Sequence, residues 1–320
     1  MSKKMQSNML LLLTALVWGA SFVAQKTGGV LGAFTYNGIR TFLGGLVLIP
    51  VVLFLIKKDK AAGLYDGKTD EELKAQNRMD LIGGVCCGLA LFAASMLQQY
   101  GINFTTAGKA GFITSLYAVL VPILSILIGK KVRPIIWFCV VLGAFGLYML
   151  TMFGQSMRLQ TGDFFVLLCA FAFAVHIMVI DHFSPKCNGP KISCIQFLVA
   201  GGLAIIGMFI WENPNLHDIL YAWLPIVYGG VGSCAIGYTL QIVAQKNADP
   251  AEASLILCLE SVFSAIFGAI LLSERMSIHE LIGCAMIFTA VVISQLPSKE
   301  ERLAQKAEMA QRELEQNKKQ

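Results

Sequence analysis

The stretch Phe34–Ile56 reads FTYNGIRTFLGGLVLIPVVLFLI, 23 residues with a single charge, Arg40. An α-helix needs about 20 mainly apolar residues to cross the hydrocarbon core of a bilayer. A run of this length predicts a membrane-spanning helix. Nine other runs have the same character: Met9–Gln25, Leu81–Tyr100, Ala107–Ile128, Ile135–Phe153, Phe164–Ile180, Ile192–Trp211, Leu220–Ala244, Ala251–Leu272 and His279–Leu296. Ten spans of about 20 residues use roughly 200 positions of the chain. Short connections, one longer loop and a tail remain, so no separate soluble domain fits.

Composition points the same way. Of the 320 residues 56% are hydrophobic and 14% charged, with a mean hydropathy of +0.66. A soluble domain carries about 25% charged residues to keep its surface solvated. The solvent of this chain is mostly lipid, and the expected fold is an all-α integral membrane protein. Lys3 and Lys4 before the first span resemble the basic start of a signal peptide, but a signal has a shorter apolar core and a small-residue cleavage site. Gln25-Lys26 after a full-length span predicts an uncut first helix instead. Among the cysteines, Cys86, Cys87, Cys139, Cys169, Cys234, Cys258 and Cys284 lie inside predicted spans, and no C-x-x-C pair occurs. They read as buried thiols rather than a disulfide framework or a metal site. No cofactor is implied.

Lys and Arg in short loops favour the cytoplasmic side. With the N-terminus inside, twenty of the 25 Lys and Arg fall in inside segments and four outside (Lys26, Lys109, Arg158, Arg275), with Arg40 within a span. This bias supports an even number of spans and predicts a multi-pass protein of the cell membrane with both termini cytoplasmic. The net charge of +5 therefore describes sidedness, not nucleic-acid binding. The segment from Lys57 to Asp80 mixes six bases with Asp59, Asp66, Asp70, Glu71, Glu72 and Asp80, and reads as a solvated connector. In the tail, Leu303, Ala307, Ala310 and Leu314 form one weak apolar stripe, predicting a frayed extension of the last helix.

The chain also repeats itself. Ile126-Leu127-Ile128-Gly129-Lys130-Lys131 runs parallel to Ile270-Leu271-Leu272-Ser273-Glu274-Arg275, an offset of 144 that also pairs Tyr117 with Ser261, Cys139 with Gly283 and Gly146 with Ala290. Leu97-Gln98 matches Leu240-Gln241 after a one-residue slip, and Trp18–Ser21 lies opposite Phe173–His176. Spans one to five thus resemble spans six to ten. Five is odd, so the second copy enters the membrane from the opposite side. Inverted repeats enclose a site near the midplane, where the two copies meet.

The stretch Trp18-Gly-Ala-Ser-Phe-Val-Ala-Gln-Lys26, Arg40 in the second span, and Thr105-Thr-Ala-Gly-Lys-Ala-Gly-Phe-Ile-Thr114 resemble the drug/metabolite transporter superfamily, specifically its EamA-type members. So do Leu259-Glu-Ser-Val-Phe263, Ser273-Glu-Arg-Met-Ser277 and Leu281-Ile-Gly283. The resemblance covers residues 9–296. It implies ten helices around a central cavity, alternating access, and movement of amino acids or other small metabolites. It divides the chain into a first EamA-like repeat over 9–153, a second over 161–296 and a charged cytoplasmic tail over 297–320. Ser261 departs from the pattern, standing where the family often has proline after the glutamate, whereas the first half keeps Pro122.

An ionisable group at membrane depth costs at least about 2.5 kcal/mol on insertion scales and usually marks a pathway. Glu260 lies mid-span, where it could bind an amino group or a proton, or serve as a protonated helix–helix contact. His176 is the other central titratable group, with an unperturbed pKa near 6.5 suited to proton coupling, or else a packed residue with one hydrogen bond. Arg40 could hold a carboxylate in its guanidinium fork or snorkel outward as an anchor, the latter slightly favoured. Lys109 and Glu252, at span starts, read as interfacial or gating residues. Trp18, Ser21 and Gln25 recur on one face of the first helix. Gln98 and Gln241 occupy matching places in the two halves. Thr114 shares a face with Tyr117, and Tyr238 with Gln241. Singly, each such group could be an interhelical hydrogen bond worth about 0.6 kcal/mol; together they predict a lined cavity. The glycine pairs Gly83-Gly84, Gly201-Gly202 and Gly229-Gly230 predict close helix packing.

No H-E-x-x-H occurs, and the aspartates nearest the spans, Asp163 and Asp181, lie at helix ends, which argues against an intramembrane enzyme. A filter-like loop or ring of charge, as a channel needs, is not evident, and a scaffold has no use for inverted copies. A carrier for a small-molecule substrate explains most, either a proton-coupled exporter or a gradient-driven facilitator. One glutamate, one histidine and one arginine suit a zwitterion; Trp18 and Tyr117 suit a neutral or aromatic metabolite equally. The expected partners are the lipid bilayer, the solute and protons, and no nucleic acid. The oligomeric state is not readable.

Overall fold

The computed structural model describes residues 3–64, 66–105, 107–154, 160–271 and 276–296, and among these it is all helix and connection, without a strand. In chain order the helices are α1 (Lys3–Thr27), α2 (Ala33–Ala61), α3 (Asp70–Ile102), α4 (Ala107–Ser115), α5 (Tyr117–Leu127), α6 (Pro134–Thr151), α7 (Thr161–Phe183) and α8 (Gly189–Trp211). The short α9 (Leu216–Tyr221) and α10 (Trp223–Val227) lead into a π-helical stretch, Tyr228–Tyr238, continued by α11 (Thr239–Gln245). Then follow α12 (Pro250–Leu257), α13 (Leu259–Leu271) and α14 (Ile278–Ser294). Eight of the described stretches are long and apolar enough to cross a membrane. The side chain of Lys109, the loop residues Arg158 and Arg275, and the tail from 297 lie outside the described residues.

The helices around the first long connection run further than the sequence suggests. The connector from Lys57 to Asp80 is mostly helix: α2 runs on to Ala61 and α3 begins at Asp70. Charge explains both extensions. Lys58 and Lys60 sit in the last turn of α2, where the helix dipole favours cations, and Asp70, Glu71 and Glu72 sit in the first turn of α3, where it favours anions. A capping box then fixes the start of α3. The Glu72 N–H donates to Thr69 Oγ1 at 3.2 Å, and the Thr69 N–H donates to Glu72 Oε2 at 2.9 Å.

Without a hydrophobic force between helices in lipid, small residues must let backbones approach. They do so here. α2 packs on α8, α3 on both α7 and α8, α6 on α14, and α1 on α12, α13 and the π-helical stretch. A Cβ built on Gly201 would lie 2.5 Å from the Phe42 nitrogen, and one on Gly283 would lie 2.6 Å from the Gly146 carbonyl oxygen. Larger residues at either place would push the helices apart.

Three interruptions position the site. One separates α4 from α5 at Leu116, a second separates α12 from α13 at Cys258, and the third is the π-helical stretch. At the first, the Val119 N–H turns to the Leu116 carbonyl (2.9 Å), and the Ser115 carbonyl accepts from the Cys258 thiol at 3.6 Å. Ser115 Oγ also lies 3.0 Å from Ser261 Oγ. The two breaks therefore abut and bond to each other. Pro122, inside α5 and six residues past the first break, removes a further helical N–H. The second break forms without proline: Ser261 does not leave this helix continuous, because its N–H closes a tighter turn onto the Cys258 carbonyl at 3.1 Å.

Candidate functional site

Tyr117 opens α5 and Glu260 is the second residue of α13, so both stand just past a helix break. A carboxylate in the first turn of a helix meets unbonded N–H groups and the positive end of the dipole, which offsets part of the cost of its burial. The Tyr117 hydroxyl donates to Glu260 Oε1 at 3.1 Å, and both side chains are buried.

Arg40 approaches from α2. Its Nε and one terminal nitrogen donate to Asn37 Oδ1 at 2.9 and 2.7 Å, and its guanidinium lies 5.1 Å from the centre of the Tyr36 ring. Asn37 is itself held, its amide donating to the Ser95 carbonyl at 3.0 Å. The anchor reading of Arg40 is thereby overturned. The side chain is only 5% exposed and does not reach for the surface, because Asn37 and Tyr36, on the same helix, hold it inward. The contact to Asn37 uses two of the guanidinium's five donors. Among the described residues no carboxylate lies within ion-pair distance of it.

The remaining wall comes from α1, α3, α4 and the π-helical stretch. Trp18 Nε1 donates to the Ser233 carbonyl at 3.3 Å, and its ring packs on Tyr238 with centroids 4.5 Å apart. Gly237 makes room for that indole, since a Cβ there would lie 2.6 Å from Trp18 Nε1. Gln98 donates to Thr114 Oγ1 at 3.3 Å, tying α3 to α4. Ser21 Oγ and Gln25 Oε1 are buried without a hydrogen-bond partner among the described residues.

These elements enclose one cavity of about 40 Å³, with Asn37, Tyr36 and Gly237 standing behind its lining. Nine of the eleven residues singled out from the sequence meet there: Trp18, Ser21, Gln25, Arg40, Gln98, Thr114, Tyr117, Tyr238 and Glu260. His176 and Gln241 do not. The His176 imidazole packs edge-on against Tyr238 at 5.8 Å and pairs with Gln196 Oε1 at 3.2 Å, one layer behind the wall. Gln241, in α11 one turn past Tyr238, is buried but does not line the cavity. Phe173 and Ser233 complete the lining and were not anticipated. Ser233 and Tyr238 are five residues apart, off one another's face in an α-helix but a single turn apart in a π-helix.

At the end of the bundle where α1 and α12 begin, ion pairs link the helices. Lys4 lies 3.2 Å from Glu252, which Arg133 also binds. Arg133 further donates to the carbonyls of Ser294 and Leu296, the latter at 2.9 Å. Lys130 pairs with Asp181. At the other end, the Glu212 carboxylate caps α2, accepting from the N–H groups of Phe34 and Thr35 at 2.9 and 2.8 Å, and Asp163 accepts from Thr105 Oγ1.

The sequence model of the EamA-like transporter family matches residues 5–152 and again residues 160–295. The chain belongs to that family. As a multi-pass membrane protein of the EamA-like family it is a membrane transporter, and two of the relatives it resembles carry that name. It is 29% identical to an uncharacterized transporter of Archaeoglobus fulgidus over 92% of this chain and 87% of that one. It is 23% identical to the uncharacterized transporter YoaV of Bacillus subtilis over 87% and 93% of the two chains. A WAT1-related chloroplastic protein of Arabidopsis thaliana is 24% identical over 88% of this chain and 67% of its own length. A crystal structure with 18% identity superposes with a TM-score of 0.71, covering 90% of this chain and 96% of the other, which establishes a shared fold.

Proposed function

We propose that this EamA-family transporter moves a small organic metabolite, an amino acid or related solute, by alternating access. Its ten spans form two inverted five-helix repeats, and both termini face the cytoplasm. One observation carries the reading: the buried carboxylate of Glu260 and the buried guanidinium of Arg40 line the same small cavity between two broken helices. Charges at membrane depth are costly and mark substrate pathways. Glu260 suits an amino group, and Arg40, with donors to spare, suits a carboxylate. Ser21 and Gln25 offer polar atoms that need a partner, and a solute in the cavity supplies one.

The size of the cavity supports alternation. Sites for organic ligands hold about 300–1,000 Å³, against about 40 Å³ here. A solute enters only when the helices part, so this conformation is a closed one. The packing supports the repeats. If each span of the first half is exchanged for its counterpart in the second, the contact of α1 with α12 and α13 becomes that of α7 with α4 and α5. By the same exchange, α3 on α8 becomes α2 on the π-helical stretch, while α2 on α8 and α6 on α14 map onto themselves.

Coupling to protons is the favoured form of the cycle, with Glu260 as the group that alternates between proton and substrate. Two measurements in proteoliposomes test this. A thermal-shift screen of amino acids and related metabolites first names a ligand, since a bound solute stabilises the folded state with occupancy. Flux of that ligand is then followed during a pH jump. Flux indifferent to the proton gradient leaves a gradient-driven facilitator. Flux unchanged in Glu260→Gln removes the carboxylate from the site altogether.

A further inference from the structure

A second, larger cavity of about 550 Å³ opens at the end of the bundle that holds the α2–α3 connection and the α7–α8 turn. It lies within the size range of small-molecule sites, and it is basic. Lys68, Lys186, Lys191 and Lys246 line it against two carboxylates, Asp59 and Asp80. Asp80 is committed to the protein: its Oδ1 accepts from the Asn188 N–H at 2.9 Å and the Gln76 amide at 3.0 Å, and its Oδ2 lies 3.2 Å from Lys191. Cys187, also in the wall, adds no negative charge, because burial and the neighbouring Asp80 push its thiol up to about 11. The Lys186 ammonium lies 3.1 Å from the His182 Nε2 and, among the described residues, within ion-pair distance of no carboxylate.

Two further features favour an anion there. The N-terminus of α8, a 23-residue helix, opens at the cavity through Gly189 and Pro190, so its dipole adds to the lysines. The Ser184 hydroxyl, buried and without a hydrogen-bond partner among the described residues, lies in the same wall. The central cavity shares no residue with this one.

We infer that this basin binds a phosphate-bearing anion, either the headgroup of an anionic lipid or a soluble organic phosphate, and through it ties the α2–α3 connection to the α7–α8 turn. Basic pockets between helices recognise anionic headgroups by the same means. The inference requires no particular transported solute and no particular coupling.

The test uses the full chain in nanodiscs and reads the thermal unfolding midpoint, so a failed transport reading leaves it intact. Three conditions are compared: phosphatidylcholine alone, phosphatidylcholine with phosphatidylglycerol, and phosphatidylcholine with inorganic pyrophosphate in solution. The midpoint rises with phosphatidylglycerol if the headgroup is the source and with pyrophosphate if the soluble anion is. The double variant Lys186→Gln/Lys246→Gln loses at least half of that rise. Lys57→Gln/Lys58→Gln, which removes the same charge from exposed positions of α2 outside the cavity, keeps it. No rise under either condition overturns the site. So does a rise that survives the cavity variant or falls equally in the control.

Discussion

Glu260 and Arg40 are held in different ways, and the difference sets what their substitution does. The carboxylate depends on a helix start and one phenol, so Glu260→Gln keeps its shape and its hydrogen bond while losing charge. Transport of amino-bearing solutes is expected to vanish in proteoliposome flux with the protein still inserting and unfolding at a similar temperature. Arg40 depends on geometry: its fork on Asn37 cannot be copied by an ammonium. Arg40→Lys is expected to lower kcat/KM at least about tenfold, equivalent to about 1.4 kcal/mol of lost binding in the transition state. A full rate in that variant would reduce Arg40 to a structural residue. Polar residues inside apolar runs are easy to see in a sequence, which is why most of the cavity lining was legible there. For His176 the packed alternative with one hydrogen bond matches the structure, and the sequence left it open because a run of Phe and Ile gives no sign of which layer a residue occupies. The inward turn of Arg40 was the less favoured of two sequence readings because it is decided by Asn37, a neighbour three residues away whose own role comes from Ser95 on another helix.

At the scale of elements, apolar length and charge bias locate the helices well but say little about their interior. The breaks at Leu116 and Cys258 and the π turns of Tyr228–Tyr238 arise from contacts between helices, such as the Cys258 thiol on the Ser115 carbonyl, that no local pattern announces. Glycines show the same limit. Gly201 and Gly202 look alike in sequence, yet a Cβ on the first meets Phe42 backbone at 2.5 Å and one on the second meets nothing within 4 Å. Gly202→Ala is therefore expected to leave the unfolding midpoint in detergent unchanged or to raise stability by up to about 1 kcal/mol, the helix propensity difference. Gly230→Ala places its Cβ 2.7 Å from the Arg40 carbonyl oxygen, a backbone atom that cannot turn aside. It should lower stability by about 1–3 kcal/mol and weaken transport beyond that, because the residue displaced is Arg40. Equal behaviour of the two variants would mean that the π-helical seam is looser than its distances imply.

Across the whole molecule, the proposed alternating access requires one end to seal while the other opens, and the ion pairs at the end where α1 and α12 begin are suited to be that seal. Glu252 is the hub: its side chain is 8% exposed and joins Lys4 of α1 to Arg133 of the α5–α6 connection, while Arg133 reaches the end of α14. Lys4 and Arg133 are 37% and 24% exposed, so water and salt screen part of the attraction. A surviving contribution of about 1.4 kcal/mol to the closed state corresponds to a tenfold change in the population open at this end. Glu252→Gln removes the charge and keeps the volume, which tilts that balance without leaving a hole. The native thiol of Cys258, buried at the break between α12 and α13, reports it. Its alkylation by N-ethylmaleimide, followed by peptide mass, is expected to run about tenfold faster in the variant, while Cys139, buried in α6, labels as slowly as before. Faster labelling of both thiols would mean general loosening. If neither changes while the unfolding temperature falls, Glu252 is a tie that holds the fold and the gate lies elsewhere.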